Sequence, residues 1–319
     1  MKPIELSIVI PCYNSEDTIT EVVDEIERVF SADREQLEFV LVADGCKDNT
    51  YSVISRLAKE RKNVIAAELA KNSGQYPALL AGFALAHGKL IATCEDDGQT
   101  DVTAFPEMIR KLKEENLDVV TVTYSRREQP SFFRRLGTKV AIFMSNAMIQ
   151  KPDGVEFTIA FVARRFVIEE ICKYDQPYPF IEGLVFRTTQ NVGNVVSVQK
   201  GRMSGASGYN FRKLVELWLN GFTSFSIKPL RLSVFFGTLA ALIGFIYGLF
   251  LIIKKLVNPE VPVGYTSIVA LLLFMTGLIL IVLGMVGEYI GRIYMSVNKT
   301  PQYVIRAVVR SDEEDETKN

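Results

Sequence analysis

The sequence predicts an α/β fold: a mostly parallel, Rossmann-like sheet, followed by interfacial amphipathic helices and a two-helix transmembrane hairpin. Three observations lead there. Short apolar runs alternate with amphipathic ones from Leu6 to Thr123. Two stretches, Val234–Ile253 and Ser267–Val286, hold no charged residue, and each can cross a bilayer, which takes about 20 apolar residues in a helix. Two further segments, Ser131–Ile149 and Phe211–Phe225, mix aromatic residues with arginine and lysine. A water-soluble α/β module joined to a membrane hairpin leaves two readings open. One substrate is aqueous and the other lipid, or the hairpin is a plain anchor.

The elements follow in order. Leu6–Ile10 reads as a short buried strand ending at Pro11. Thr18–Phe30 is helical, with Ile19, Val22, Val23, Ile26 and Val29 on one face. Leu37–Ala43 and Thr50–Arg61 repeat the strand and helix pattern. Val64–Leu69, Tyr76–Ala86, Leu90–Cys94, Thr103–Glu115 and Val119–Thr123 continue it. Such a rhythm means a parallel sheet covered by helices. Ligands in these sheets bind beyond the carboxyl ends of the strands. The division expected is 1–210 for the α/β domain, with 131–149 as an interfacial helix, and 211–228 as a juxtamembrane helix. The hairpin takes 229–291, with spans at about 234–253 and 267–286. Residues 292–319 form a cytosolic segment whose acidic end, Asp312–Glu316, is disordered.

Charge and composition remove several classes. With 36 basic and 37 acidic residues the net charge is −1, so the basic stripe of a nucleic-acid protein is missing. The four cysteines, at positions 12, 46, 94 and 172, form no C-x-x-C pair. The chain opens on a strand rather than a signal peptide, which points to a reducing cytosol. The single histidine, His87, reads as a helix C-terminal residue with Gly88 as the cap beyond it. Serine-protease-type and histidine-metal chemistry are excluded. Lys228 and Arg231 precede the first span, and Arg292, Lys299, Arg306 and Arg310 follow the second, against only Lys254 and Lys255 between them. That bias puts both ends in the cytosol.

Chemistry-bearing residues cluster after the strands. No G-x-G-x-x-G or Walker loop follows any of them. Asp44 closes the second strand, where it can accept hydrogen bonds from a nucleobase or ribose, and Asp48 or Asn49 can cap the next helix. Glu95-Asp96-Asp97 follows the fourth strand. Three adjacent carboxylates repel one another unless a cation binds. In an extended segment Glu95 and Asp97 point the same way, and such hard oxygen ligands suit Mg²⁺ or Mn²⁺ bridging to phosphates.

The chain resembles glycosyltransferase family 2, with its GT-A fold, and more closely the polyprenyl-phosphate glycosyltransferases. The matching motifs run from Leu6 to about Val309. They are Pro11-x-Tyr13-Asn14-x-Glu16, Asp44-Gly45-x-x-Asp48, Asn72-x-Gly74-Gln75, Glu95-x-Asp97-x-Gln99, Arg202-x-x-Gly205-x-Ser207-x-Tyr209, Pro229-Leu230-Arg231 and Gly287–Tyr294. The resemblance implies sugar transfer, with inversion, from a nucleotide-diphospho-sugar to a polyprenyl phosphate such as undecaprenyl phosphate. It implies a donor site of Pro11, Tyr13, Asn14, Glu16, Asp44, Gln75 and Asp96. It implies metal ligation by Glu95, Asp97 and Gln99, with Mg²⁺ or Mn²⁺ as cofactor, and catalytic roles for Asp97 and Glu156. Arg134, Arg135, Arg202 and Ser207 would hold the lipid phosphate and diphosphate. A homo-oligomer, often a tetramer, in the bacterial cytoplasmic membrane is implied too.

Four positions depart from the family pattern. Ala43 replaces the first of two aspartates, Glu95 the first residue of D-x-D, Glu156 the later catalytic aspartate, and Gly208 a lysine. An atypical donor, another membrane acceptor such as a diacylglycerol, or a catalytically silent GT-A scaffold are the alternatives these leave open.

Overall fold

The computed structural model describes residues 3–124, 151–152, 154–176, 178–198, 228–257, 264–298 and 300–311. The interfacial stretches 131–149 and 211–227 and the acidic end lie outside them, as do Arg134, Arg135, Arg202 and Ser207.

An eight-stranded mixed sheet organises the first unit. β1 (Leu6–Cys12), β2 (Leu37–Ala43), β3 (Val64–Leu69) and β4 (Leu90–Thr93) run parallel at its centre, in the order β3-β2-β1-β4. β1 and β2 are buried along their whole length. This is why they read as nearly unbroken apolar runs rather than alternating ones. The connecting helices are α1 (Ile19–Val29), α2 (Thr50–Glu60), α3 (Gln75–Leu85) and α4 (Phe105–Glu114). α1 shows the expected spacing, burying Ile19, Val22, Val23 and Ile26.

Beyond β4 the sheet changes direction. β6 (Phe161–Arg164) pairs antiparallel with both β4 and β5 (Val119–Tyr124), and β5 pairs parallel with β7 (Val192–Ser197). α5 (Arg165–Cys172) and α6 (Ile181–Thr188) separate β6 from β7. The other edge is closed by β8 (Ile305–Val309), antiparallel to β3. The segment after the hairpin is therefore not merely a tail: it returns and completes the sheet, within a unit of Met1–Leu214 plus Thr300–Asn319.

The second unit carries two long helices, α7 (Lys228–Val257) and α8 (Tyr265–Val297). Phe274–Val297 is apolar and long enough to cross a membrane, with mean hydropathy 1.8, and Gly237–Phe250 is a shorter apolar stretch. Phe245, Ile246 and Phe250 on α7 and Ile279, Leu280 and Leu283 on α8 are exposed. Exposed apolar surface on this scale marks a face made for lipid or a partner.

One polar residue interrupts each of β1 and β2, and the two answer each other. Ser7 and Glu38 stand opposite in the β1–β2 register, and Ser7 Oγ donates to Glu38 Oε2 at 2.5 Å. The His87 amide and Nδ1 each lie 2.8 Å from the same carboxylate. The Gly88 amide donates to Ser7 Oγ at 2.7 Å. The cluster corrects the expected role of Gly88. α3 ends at Leu85 with an extended Ala86, and a Cβ on Gly88 would lie 2.5 Å from the Ser7 nitrogen. Close approach, not a left-handed cap, demands glycine there.

Removing the Glu38 acceptor strands the buried Ser7 hydroxyl and the His87 amide. Glu38→Ala should cost about 3 kcal/mol, or roughly 6–12 °C in Tm for a domain of this size. His87→Ala, which removes a half-exposed partner only, should lower Tm by less than half as much. Thermal unfolding of the full-length protein in detergent measures both.

Candidate active site

The crevice lies at the carboxyl ends of β1, β2 and β4, where the chain leaves β1 between its two parallel neighbours. Sheets of this kind bind ligands at such a switch point. Pro11 lies inside β1, buried opposite Val42. Pairing with β4 ends at Val9 and Thr93, so the missing N–H of Pro11 costs no ladder bond.

The loops after β1 and β2 are fastened together. Asn14 Oδ1 accepts from the Lys47 amide at 2.9 Å, and Glu16 Oε2 from the Asn49 amide at 2.9 Å. The Ser15 amide donates to Thr50 Oγ1 at 2.8 Å, and the Glu16 amide to Asp48 Oδ2 at 3.2 Å. Asp48 Oδ1 takes the Thr50 amide and hydroxyl, at 3.1 and 2.7 Å. Burial pushes the Asp48 carboxyl up, but the Thr50 and Glu16 donors outweigh it and hold the group below its usual range. Asn14 and Glu16, expected to meet the donor, are thus also the staples of the crevice. Tyr13 is half exposed at its lip.

Asp44 joins the second and third loops. Its two oxygens accept from the Ser73 and Gly74 amides at 2.7 and 2.8 Å. Burial raises its proton affinity and these two amides oppose the rise. The loops touch closely: a Cβ on Gly45, whose φ is +58°, would lie 2.1 Å from the Asn72 nitrogen. Gln75 opens α3 directly after this contact. Ala43, where the family pattern has an aspartate, is fully buried at the end of β2.

The acidic loop is divided in two by a turn at Asp96–Asp97, rather than staying extended. Asp96 Oδ2 accepts from the Tyr13 amide at 2.8 Å, and the Asp96 carbonyl from Thr18 Oγ1 at 2.7 Å. Burial raises the Asp96 carboxyl. Asp96 therefore braces the β1 loop from inside. Glu95 and Asp97 act on Tyr124, at the end of β5, through their charge. Burial, then Glu95, Cys94, Asp101 and Asp97, push the Tyr124 hydroxyl up to about 12, so it stays a hydroxyl beside the carboxylates. Asp97 Oδ1 accepts from the Gln99 amide at 3.0 Å.

Among the described residues no group of three or more His, Cys, Asp and Glu side chains is gathered to hold a metal. Mg²⁺ is commonly held by one or two carboxylates with substrate phosphates completing the shell. Glu95 and Asp97 are half-buried carboxylates, oxygen donors of the type such an ion takes.

Glu156 is exposed, and its backbone is held from both sides. Its amide donates to Asn194 Oδ1 at 3.1 Å, while Asn194 Nδ2 donates to its carbonyl at 2.6 Å and to the Thr121 carbonyl at 3.3 Å. Asn194 and Tyr124 are site-shaping residues that sequence reading missed. Asn194 carries no local signal, since its partners come from β5 and from the segment before β6. Tyr124 ends β5, a strand end where chemistry is to be sought.

The profile of glycosyl transferase family 2 matches residues 7–172. The chain belongs to glycosyltransferase family 2. Its hairpin matches the GtrB C-terminal hairpin over residues 228–293. The undecaprenyl-phosphate 4-deoxy-4-formamido-L-arabinose transferase of Klebsiella pneumoniae subsp. pneumoniae is 31% identical over 316 residues, covering 97% of this chain and 95% of that one. The bactoprenol glucosyl transferase of Shigella phage SfII is 32% identical over 310 residues, covering 95% and 97%. Glucosyl-3-phosphoglycerate synthase from Mycobacterium tuberculosis, solved with Mn²⁺, UDP and phosphoglyceric acid, superposes with a TM-score of 0.51 at 15% identity, over 69% of this chain and 76% of its own. That likeness shows the shared fold, which is of GT-A type. In this family 2 glycosyltransferase the crevice at the carboxyl ends of β1, β2 and β4 is the candidate active site.

One more titratable group was not legible in the sequence. Glu182, in the first turn of α6, is pushed up from 4.5 to about 6 by burial, with Lys151 pulling the other way. The folded state thus holds an extra proton between about pH 4.5 and 6, and stability falls as pH rises through that window. Glu182→Gln should match wild type below about pH 4.5 and be about 1–2 kcal/mol more stable above about pH 6.5. Tm followed across pH for both proteins measures the difference.

Proposed function

We propose that this enzyme moves a sugar from a nucleotide-diphospho-sugar to a polyprenyl phosphate, undecaprenyl phosphate or a close relative, with inversion at the anomeric carbon. The product is a lipid-linked sugar for cell-envelope glycans. One observation carries the reading. Similarity to transferases named for undecaprenyl-phosphate and bactoprenol acceptors runs through catalytic domain and hairpin alike, over 97% and 95% of this chain.

The roles follow from the crevice. Pro11, Tyr13, Asn14, Glu16, Asp44 and Gln75 line or brace the donor cradle, and Asp96 holds its β1 side. Glu95 and Asp97, with Gln99, would hold Mg²⁺ or Mn²⁺. A bound divalent ion supplies the electrostatic neutralisation that makes a nucleoside diphosphate a good leaving group. Arg134, Arg135, Arg202 and Ser207 would bind acceptor phosphate and donor diphosphate through charge-assisted hydrogen bonds. A phosphate monoester with its second pKa near ~6 is largely a dianion at neutral pH. It needs little help from a base, so Glu156 orients the acceptor more than it removes a proton.

Topology has independent support. The chain leaves the catalytic unit for the hairpin and then returns β8 to the same sheet. Soluble strands paired in one sheet lie on one side of a membrane, so the crossings between them are even in number. With the basic residues flanking the hairpin, this favours two crossings with the catalytic domain and C-terminus in the cytosol. Assembly as a homo-oligomer, a tetramer among the options, belongs to the same reading.

Asp97→Ala should abolish donor binding in Mg²⁺ or Mn²⁺ while leaving Tm unchanged. Calorimetric titration of nucleotide sugars into the full-length protein tests this. Wild-type affinity in the variant, or turnover surviving excess chelator, overturns the metal assignment.

Cysteine substitution tests the topology. A thiol placed near Pro259 should react with an impermeant maleimide in intact cells, and one near Ser311 should not. Labelling of both from outside refutes the hairpin.

A further inference from the structure

Where the sheet ends, the strand that returns from the membrane hairpin meets the loop that builds the donor cradle. β8 pairs with β3 through Ala66–Val309, Ala67–Val308 and Glu68–Ala307, and then Leu69 pairs with Ile305. The register shift leaves Arg306 as the extra residue of a β-bulge. Bulges re-aim side chains, and here the guanidinium is aimed at the cradle. Arg306 Nη1 lies 3.2 Å from Glu68 Oε1, and Nη2 donates to the Ala70 carbonyl at 3.0 Å. The Ala70 amide donates to the Val304 carbonyl at 2.8 Å. Both backbone groups of Ala70 are thus held by the returning segment.

Ala70 is where the cradle loop begins. Asn72, two residues on, packs against Gly45 with no room for a Cβ. Ser73 and Gly74 then give their amides to Asp44, and Gln75 opens α3. Asp44 fastens the far end of the loop and the returning segment fastens its start. A second contact of that segment reaches the α5–α6 connection: Gln302 Nε2 donates to the Tyr174 and Gln176 carbonyls at 2.9 and 2.6 Å. That connection leads to Phe180, whose ring meets Tyr76, in the first turn of α3, edge-on at 5.7 Å. The returning strand therefore touches two segments that converge on the same helix start.

We propose that the strand returning from the hairpin is a positioning part of the donor site, with Arg306 as its principal positioning residue for nucleotide binding. The proposal rests on the reading that the donor lies over Asp44 and the Ala70–Gln75 loop. Through Arg306 and Val304, integrity of the membrane-anchored end of the chain is transmitted to donor affinity. Acceptor affinity should be left unchanged. Arg306 is half exposed, so its loss should not unfold the domain. It removes one charge-assisted contact to the loop's start at Ala70 and one to Glu68 of β3, leaving the Ala70 amide on Val304 as the remaining tie.

Binding of UDP, GDP, ADP and CDP to the full-length protein in detergent with MnCl₂ provides the test, using the nucleotide that wild type binds best. Steady-state turnover on a polyprenyl phosphate accompanies it. Arg306→Ala should weaken nucleotide binding by roughly fivefold to twentyfold and raise donor KM in step. Acceptor KM, kcat and Tm should stay close to wild type. Arg306→Lys should recover most of the affinity, because an ammonium still reaches the Ala70 carbonyl or Glu68. Asp44→Asn, which turns an amide group toward the Ser73 and Gly74 donors, reports on the donor reading itself. If Asp44→Asn weakens binding and Arg306→Ala does not, the donor site stands and the positioning role falls. If neither weakens it, or wild type binds none of the four nucleotides, the donor reading fails and takes the proposal with it. Equal loss of kcat, both KM values and Tm in Arg306→Ala, without recovery by lysine, marks a general structural role and overturns the proposal.

Discussion

The Asp44 carboxylate is the joint on which the catalytic face depends. It is buried at the end of β2, and its two oxygens take the Ser73 and Gly74 amides. A carboxylate in that position is costly unless it is fully hydrogen-bonded. Two backbone donors meet the need and in doing so lock two loops to each other. Gly45 allows those loops to touch. Everything that follows in the cradle, including the start of α3 and the position of Gln75, depends on this contact.

Around that joint the motif residues divide their labour. Asn14, Glu16, Asp48 and Asp96 carry side chains suited to a nucleotide, yet each already accepts from a backbone amide of a neighbouring loop. The crevice is therefore built before any ligand enters, as preorganised sites are. With burial, the charges of Glu95 and Asp97 help to keep Tyr124 protonated. The glutamate for aspartate change at position 95 lengthens that side chain by a methylene and keeps a carboxylate.

The segment after the long apolar helices belongs to the catalytic unit. β8 completes the sheet edge that β3 would otherwise expose, and an unpaired edge is a liability for aggregation. The same strand carries Arg306 to the start of the cradle loop. Anchoring, edge protection and site geometry thus converge on five residues that follow the second apolar helix.

Much of this was determined by the sequence alone. The strands β1 to β5 and helices α1 to α4 are legible because buried parallel strands and one-sided helices leave short-range patterns, with boundaries at β2 and β3 read to the residue. The two long helices α7 and α8 are legible because their apolar runs are long and free of charge. The motif residues are legible as chemical types in a fixed order. Tertiary structure decided the rest. β6 and β8, with four and five residues, are too short to announce themselves, and their antiparallel pairing is settled by partners far along the chain. Whether Asn14 or Asp96 faces a ligand or a neighbouring loop depends on amides that its own segment does not contain. The proton affinity of Glu182 depends on burial, which no single segment encodes. Local pattern reports what a residue can do, while long-range packing selects which of those capacities it uses.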